Sequence, residues 1–389
     1  MFSSRLRHGF DRNRLACALD RRRSDGLPIL DLTASNPTTA GFDYPPALLA
    51  PLAQPRALRY EPASFGLLEA RRAVSGDFRR RGVDVPPDRI VLTASTSEAY
   101  SLLFKLLCDH GDCVLAPRPS YPLIGHLADL DEAAVDFYSL EFHGRWSMDL
   151  HAIERALGGK RVRAIIVISP NNPTGSVVSP TELAEVTRLA AGHGLALIAD
   201  EVFADYPIGT LAIASTLSQD RALTFGLGGL SKTIGLPQVK LGWIGVSGPS
   251  ELVGEALERL ETICDAYLSV STPIQHAASD LLECGAAVRA QIQARVRGNY
   301  DTLSRMAAAH PASCLLPADA GWYAVVQIPA VQPEETFVVS LLERTGVLVH
   351  PGFFFDFERE AFLVLSLLPD PTTFSAAAAQ LFAEIERLS

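Results

Sequence analysis

Several features are missing from this sequence of 389 residues, and each absence excludes a class of protein. No stretch holds the roughly 18 consecutive apolar residues of a membrane-spanning helix. Positive charge is in the minority, with 34 Lys and Arg against 44 Asp and Glu and a net charge of −10, which disfavours nucleic acids and anionic lipid surfaces as partners. The sequence therefore predicts neither a membrane protein nor a nucleic-acid-binding protein.

The cysteines form no recognisable pattern either. Six of them are scattered along the chain without a C-x-x-C pair, and no histidines cluster at the spacing of metal ligands: Cys17, Cys108, Cys113, Cys264, Cys284 and Cys314. We interpret them as reduced thiols and expect no metal site. Residues 1–10 carry Arg5 and Arg7 but no apolar run behind them, so we expect a cytoplasmic protein.

What remains is the composition of a folded globular chain. Hydrophobic residues make up 48% and charged residues 20%, while Gly (28) and Pro (26) are at ordinary levels. At roughly 150 residues per domain, the length suggests two or three units. We predict an N-terminal arm over 1–45 that is part of a small domain, a large domain over 46–285, and the rest of the small domain over 286–389.

From about residue 67 onward, helix-like and strand-like patterns alternate. Helical periodicity covers 67–81, 98–108 and 251–300, and Ser179, Pro180 and Glu182 open a further helix that ends before Gly194. Strands are predicted over 90–93, 113–116, 133–138, 164–168, 195–199, 222–225, 241–246, 322–328, 347–350 and 362–367. The alternation predicts an α/β fold: a three-layer, doubly wound and mostly parallel sheet, with a smaller α+β domain.

A lysine in the stretch Leu230–Pro237 has the setting of a reactive amine. Lys232 lies among small and apolar residues, directly after Ser231, in the loop that separates two predicted strands. Desolvation lowers the pKa of an ammonium group until the amine can form a Schiff base with an aldehyde and later act as a general base. Taken alone, a Ser-Lys pair also fits an ordinary surface loop.

Several spaced motifs from about Tyr60 to the C-terminus resemble the class I/II aminotransferases, which are pyridoxal-phosphate enzymes of fold type I. The resemblance implies that Lys232 carries the Schiff base with pyridoxal 5'-phosphate and that Ser231 and Lys240 lie at the cofactor. The family usually has Arg where Lys240 stands, so a compact ammonium group here replaces a planar guanidinium group that can form two parallel hydrogen bonds. Asp200, at the end of a buried strand, matches the aspartate that keeps the cofactor's pyridine nitrogen protonated.

The resemblance gives roles to six further residues. Asn172 would bind the cofactor's phenolic oxygen, Tyr121 would stack on its ring, Ser95, Thr96 and Ser97 would hold its phosphate, and Tyr60 would reach the phosphate of a neighbouring subunit. The last role implies a homodimer. Each residue alone also fits a structural role: a turn for Asn172, a helix cap for Ser95 and core packing for Tyr121.

Two positions depart from the family. Phe203 stands where the family usually has Tyr, and we expect the loss of that hydroxyl to raise the pKa of the lysine's Schiff base; Tyr206 could substitute for it, although packing is its alternative role. Val364 stands where an Arg clamps the substrate's α-carboxylate. Either another cation (Arg118, Arg359 or His350) takes that task or the amino donor is not a standard α-amino acid.

The sequence alone leaves three functions open. The first is a ping-pong aminotransferase that moves an amino group between an amino acid or other amine and a keto acid. The second is a lyase or decarboxylase of the same fold, because the geometry around the cofactor decides which bond breaks. The third is a cofactor-binding regulator, which would need a DNA-binding helix pair ahead of Tyr60, and the 60 residues there show no such pattern.

Overall fold

A computed structural model of the chain describes residues 3, 5, 12–158, 161–211 and 213–388. Most of the basic N-terminal segment, including Arg7, lies outside the described residues. No helix in the described part is both long enough and apolar enough to cross a bilayer.

The described helices follow most of the predicted ones. They are α1 (Arg14–Ser24), α2 (Leu68–Arg80), α3 (Thr96–Leu107), α4 (Leu123–Leu130), α5 (Leu150–Leu157), α6 (Pro180–His193), α7 (Leu230–Thr233), α8 (Ser250–Tyr267), α9 (Thr272–Cys284), α10 (Ala286–Ala309), α11 (Glu334–Thr345) and α12 (Pro371–Glu386). Helix α6 has the predicted capping box, because the Ser179 hydroxyl accepts from the Glu182 N–H and the Glu182 carboxylate accepts from the Ser179 N–H. Gly194 ends it in the left-handed region.

The strands form three sheets. They are β1 (Leu30–Asp31), β2 (Ile90–Thr93), β3 (Cys113–Arg118), β4 (Ala134–Phe142), β5 (Trp146–Met148), β6 (Val162–Ile168), β7 (Ala196–Asp200), β8 (Thr224–Gly229), β9 (Gly242–Ser247), β10 (Cys314–Leu316), β11 (Tyr323–Gln327), β12 (Val347–Leu348), β13 (His350–Pro351) and β14 (Phe362–Ser366). The large sheet has the order β2-β9-β8-β7-β6-β3-β4-β5. The neighbours from β8 to β4 are parallel, whereas β2, β9 and β5 pair antiparallel.

Alternate residues of the large sheet face two separate layers of helices. On β6, Ile166 packs into a cluster with residues of α3 and α8, whereas Ile165 packs into a cluster with residues of α6. Because both faces are covered, the stretch 164–168 of β6 is apolar and buried throughout. This three-layer arrangement confirms the predicted α/β fold class, while the domain boundaries at residues 45 and 285 stay a prediction.

The smaller sheets lie beside this body. The order β10-β11-β14-β13 is antiparallel, and β1 pairs with β12 in parallel. The first strand therefore brings the N-terminal arm against the C-terminal part of the chain. The arm also contains α1, which the sequence analysis did not predict.

Two local expectations were wrong. The segment 251–300 is not one helix but three, because Leu268 has a left-handed backbone (φ 45°) and Pro273 opens the next helix. The second break follows Gly285, where an added Cβ would lie 2.7 Å from the Ile234 side chain. The strand predicted to end at residue 225 runs on to Gly229, and so the loop with Lys232 begins later than expected.

Candidate active site

The central parallel strands end side by side at one edge of the large sheet, and their connections enclose a cavity there. Asp200 is the last residue of β7, Asn172 lies in the turn after β6, and Lys232 is in α7, which directly follows β8. In doubly wound sheets, ligands bind outside the carboxyl ends of the strands. The cavity of about 350 Å³ is within the usual range for small-molecule sites.

The structure brings together nine of the ten site residues predicted from the sequence. The residues that line the cavity are Ser95, Thr96, Ser97, Tyr121, Asn172, Asp200, Ser231, Lys232 and Lys240. Tyr60 is the exception, since its side chain is 68% exposed and lies in a separate surface groove with Tyr267.

Lys232 is held in an apolar and aromatic environment. Its Nζ lies 5.2 Å from the ring centroid of Trp322 and 5.9 Å from that of Phe203. Burial lowers the pKa of its ammonium group, while the nearby Asp200 carboxylate opposes this effect. The amine therefore has the increased nucleophilicity of a lysine that is more easily deprotonated.

Asp200 is a buried acid whose carboxylate accepts two hydrogen bonds. The backbone N–H of Val202 donates to Oδ1 at 3.2 Å, and the Tyr100 hydroxyl donates to Oδ2 at 3.2 Å. Burial raises the pKa of Asp200 to about 6, although both donors and the Lys232 charge act in the opposite direction. The carboxylate can therefore hold a positively charged nitrogen placed against it near neutral pH.

Hydroxyl groups gather at the N-terminus of α3. Ser95 caps this helix by accepting the N–H of Glu98, and Thr96 and Ser97 form its first two residues. Strand β9 passes close to this point at Gly242, where a Cβ would lie 2.9 Å from the backbone of Ser95. The free N–H groups and positive dipole of a helix N-terminus, together with hydroxyls, favour a phosphate group.

Asn172 has a polar atom without a partner among the described residues. Its Oδ1 is buried and accepts no hydrogen bond, and the same is true of Oδ1 of the neighbouring Asn171. The Asn171 amide nitrogen, however, donates to Pro119 O and to Thr174 Oγ1. Asn171 therefore stabilises the turn and leaves Asn172 available for a ligand. Buried polar groups are rarely left unpaired. A buried group that has no partner is therefore typical of a position that binds a ligand.

Phe203 and Tyr206 both pack against the same tryptophan. The ring centroid of Phe203 lies 5.3 Å from that of Trp322, and the ring centroid of Tyr206 lies 5.1 Å from it on another side. The Tyr206 hydroxyl donates to the backbone carbonyl of Lys232. Of the two roles considered for Tyr206, the structure therefore shows packing, and this hydroxyl supports α7.

The structure also shows which cations reach the cavity. Val364 is fully buried in β14 and pairs with Val325 and His350, so it offers no group to a carboxylate. The cationic side chains that line the cavity in the described part of the chain are Lys232 and Lys240. The alternatives Arg118, Arg359 and His350 do not line it.

Sequence reasoning missed several residues of the cavity. Tyr100 follows Thr96 by four positions on α3, so the helical spacing could have placed it on the same face. Tyr323 and Ser35 come from opposite ends of the chain and carry no local signal. No group of three or more His, Cys, Asp or Glu suited to a metal ion occurs among the described residues.

The geometry defines a class of protein: a doubly wound α/β protein with a buried amine and a buried carboxylate at the carboxyl edge of its sheet. The sequence model of the family described as aminotransferase class I and II matches residues 29–378. The chain belongs to this family, which confirms the resemblance found in its motifs.

Individual relatives agree with this assignment. A glutamate-pyruvate aminotransferase of Escherichia coli K12 is 33% identical over 262 residues, which cover 66% of this chain and 64% of that protein. The match thus spans less than two thirds of that relative's length. An alanine aminotransferase of Mycobacterium tuberculosis H37Rv is 29% identical over 382 residues, which cover 93% of this chain and 86% of that protein.

Solved structures share the fold. An aminotransferase from Escherichia coli has a TM-score of 0.86 and 26% sequence identity, with 98% of this chain and 97% of that chain covered. An alanine aminotransferase from Pyrococcus furiosus also has a TM-score of 0.86, at 24% identity, with 96% of each chain covered.

Proposed function

We propose that this protein is a pyridoxal-phosphate-dependent aminotransferase that moves an amino group between an amino acid, or other amine, and a keto acid. One observation carries the proposal: the buried Lys232 amine and the buried Asp200 carboxylate line the same cavity as the hydroxyl-rich N-terminus of α3. Membership of the aminotransferase family and the names of the relatives support it.

The residues of the cavity fit the cofactor. Ser95, Thr96, Ser97, Ser231 and Lys240 would hold a phosphate group, since they supply hydroxyls and a positive charge. The Asn172 amide nitrogen would donate to the phenolic oxygen, and the ring of Tyr121 would stack on the pyridine ring. Asp200 would bind the ring nitrogen, and Lys232 would hold the aldehyde carbon.

The cofactor and the protein have separate tasks. When bound, pyridoxal phosphate supplies an aldehyde for amines and a ring that accepts the electron pair left by a departing proton. The Asp200 carboxylate keeps the ring nitrogen protonated. Nζ of Lys232, which burial favours in its neutral form, takes the proton from the substrate's α-carbon and later returns it. The Phe203 and Trp322 rings lie beside this amine and reduce its contact with solvent.

A labelling experiment tests the cofactor assignment. The purified protein should be yellow or become yellow on reconstitution with pyridoxal phosphate, and borohydride reduction followed by peptide mapping should place the label on Lys232. A colourless protein that cannot be reconstituted, or a label on another lysine, would contradict the proposal.

A second experiment tests the reaction. The names of the relatives put alanine and glutamate first as amino donors, with pyruvate as an acceptor. 2-Oxoglutarate, the keto acid that corresponds to glutamate, is the second acceptor to test. Transfer of the amino group to the keto acid supports an aminotransferase. Release of ammonia with pyruvate, or of carbon dioxide, without transfer would support the lyase or decarboxylase alternative, which the buried Val364 keeps open.

We also propose that the protein works as a homodimer in the cytoplasm. Tyr60 and Leu58, which is 92% exposed, offer large apolar groups on the surface, and Tyr60 would reach the phosphate site of the second subunit. Three exposed cysteines with free thiols are typical of a reducing compartment: Cys17, Cys284 and Cys314. Light scattering should give twice the chain mass, and Y60F should weaken cofactor binding if this tyrosine crosses the interface.

A further inference from the structure

A second cavity lies beside the site described above and has polar groups of its own. Its volume is about 310 Å³, which is at the lower end of the range for small-molecule sites. Arg118 and Ser120, on either side of Pro119, line only this second cavity, whereas Tyr121 and Ile124 are walls common to both. Strand β3 ends at Arg118, and its neighbours β4 and β6 hold it on both sides.

Arg118 brings an unpaired cation to the second cavity. Its Nε is buried and has no hydrogen-bond partner, and its guanidinium carbon lies 4.1 Å from the ring centroid of Phe137. Within the described ranges, no carboxylate forms an ion pair with this side chain. Because a guanidinium group that stacks on a ring keeps the donors along its edge, Arg118 can form two parallel hydrogen bonds to one carboxylate.

Ser120 adds a buried hydroxyl that has no partner. The residue is 6% exposed, and its Oγ forms no hydrogen bond among the described residues. Its backbone N–H donates to Phe355 O at 2.9 Å, which fixes this turn against the segment between β13 and β14. Since a buried hydroxyl is rarely left unpaired, we interpret Ser120 as a second group that binds a ligand in this cavity.

Helix α4 begins at the same cavity and favours negative charge there. Its N-cap residue, Pro122, provides no side-chain cap, so the first N–H groups of the helix have no partner within it. Ile124 and Gly125, which belong to this first turn, line the cavity. The positive end of the helix dipole therefore adds to the charge of Arg118.

The rest of the lining indicates what kind of anion fits. The other charged or ionisable groups are Tyr121, His126 and Asp356, and all three residues are exposed to solvent. The lining thus holds one guanidinium group and one carboxylate, which suits a ligand with a single negative charge better than a phosphate dianion. Apolar walls come from Ala116 of β3 and Phe137 of β4.

We propose that the second cavity is a separate binding site for a small carboxylic acid with an apolar body. Arg118 and Ser120 hold the carboxylate, and the apolar body lies against Ile124 and Phe137. Because Arg118 and Ser120 do not line the cavity of Lys232, this ligand is not the molecule whose amino group is transferred. The site therefore goes beyond the proposed aminotransferase function and does not depend on it.

Fluorine NMR of a probe acid tests this site. Trifluorobutyrate has one carboxylate and an apolar end, carries no amine or keto group that reacts at Lys232, and has its amide as an uncharged control. The titration is done with pyridoxal phosphate present, which belongs in the larger cavity. Trifluorobutyrate should bind the wild-type protein at least roughly 10-fold more tightly than its amide, because only the acid pairs with a guanidinium group. Inorganic phosphate should bind more weakly than the acid.

Three variants locate the probe in the second cavity. R118Q should bind trifluorobutyrate roughly 10-fold to 100-fold more weakly than the wild type, the range for lost hydrogen bonds to a charged group, and should bind the amide equally well. S120A keeps the arginine and should bind the acid roughly 2-fold to 10-fold more weakly; it decides the test if R118Q does not fold. R359Q removes an exposed arginine that lines neither cavity and should bind like the wild type.

Three results would overturn the proposal. Equal affinity for the acid and the amide would show that no cation selects a carboxylate. Equal affinity of the wild type, R118Q and S120A for the acid would place the probe elsewhere. Phosphate that binds more tightly than trifluorobutyrate would show that a carboxylic acid is the wrong class of ligand. None of these results affects the assignment of Lys232, which borohydride labelling tests separately.

Discussion

The cavity has two sides that are built in different ways. On the strand-end side, Asn172, Asp200 and Lys232 each lie at or just after the carboxyl end of a neighbouring parallel strand. On the small-sheet side, Tyr323 of β11 faces the cavity, whereas Val364 of β14 is buried in the core. The first side has charged and polar groups that fit a cofactor, and the second has no cation in the described chain.

This difference separates the groups that the cofactor's chemistry needs in every reaction from the groups that select a particular substrate. The strand-end side supplies groups that every reaction of the cofactor needs: an amine, an acid for the ring nitrogen and a phosphate site. Substrate choice depends on the other walls of the cavity, and Val364, which stands where the family has an arginine, does not line them. A change on the strand-end side should therefore abolish the chemistry, whereas a change on the other side should alter folding or binding.

The largest expected effect is that of Lys232→Ala. Removal of the amine eliminates covalent attachment of the cofactor and the general base, so we expect the rate of amino transfer to fall by roughly 10³-fold or more. Borohydride reduction should then leave no label on the chain. Lys240→Ala is the matched control on the same loop: it should lower the affinity for the cofactor but keep the label at saturating pyridoxal phosphate. Equal labelling of K232A and wild type would refute this role.

The second-largest expected effect concerns the small-sheet side. Val364→Arg restores the residue that the family has, but position 364 is fully buried between β11 and β13. An unpaired buried charge costs about 3–5 kcal/mol, so we expect a large fall in the free energy of unfolding, measured with urea, and no gain in amino-acid binding. Val364→Met, which is large but uncharged, should cost only about 1–3 kcal/mol. A stable V364R with tighter amino-acid binding would show that this position does face the substrate.

The contrast between the two sides also explains what could be predicted from the sequence. Asp200, Asn172 and Ser95 were predicted from the family resemblance, and their local positions supported it: Asp200 closes an apolar strand, the turn with Asn172 follows another, and Ser95 lies in a run of small residues between a strand and a helix. Each of these signals involves only a few neighbouring residues of the chain. Strand ends that are neighbours in a parallel sheet then bring the separate motifs together without further information.

The rest required tertiary structure. Tyr323 and Ser35 are 288 positions apart, and their presence in the same cavity depends on how the arm meets the small sheet. The division of 251–300 into three helices depends on Leu268 and Gly285, neither of which interrupts the apolar periodicity strongly.

The third prediction concerns the pH dependence of the strand-end side in the cofactor-free protein. Burial raises the pKa of Asp200 from 3.8 to about 6, so the folded state binds this proton more tightly than the unfolded state. The resulting stability is fully present below pH 4 and is lost as the pH rises through 6. At about 1.4 kcal/mol for each pKa unit, the loss is on the order of 3 kcal/mol.

Asp200→Asn tests this origin, because its amide does not titrate. Urea unfolding between pH 4 and pH 7 should show that the wild type loses on the order of 3 kcal/mol relative to D200N across this range. Other acids titrate in both proteins and cancel in the difference. A difference in the free energy of unfolding that stays constant with pH would contradict the raised pKa of Asp200.

The smallest expected effect is that of Tyr100→Phe, which removes one of the two donors to the Asp200 carboxylate. The Tyr100 hydroxyl is 3.2 Å from Oδ2, and a donor to the charged form lowers the pKa of an acid. Because a hydrogen bond at this distance contributes roughly 1 kcal/mol, the midpoint of the Asp200 transition should move upward by less than about one pH unit. Tyr138→Phe is the matched control, since this buried tyrosine donates to Ile166 O instead. If the midpoint moves upward in Y100F but not in Y138F, the Tyr100 hydroxyl on α3 lowers the pKa of Asp200. Equal midpoints in the two variants would show that burial and the Val202 N–H alone set this pKa.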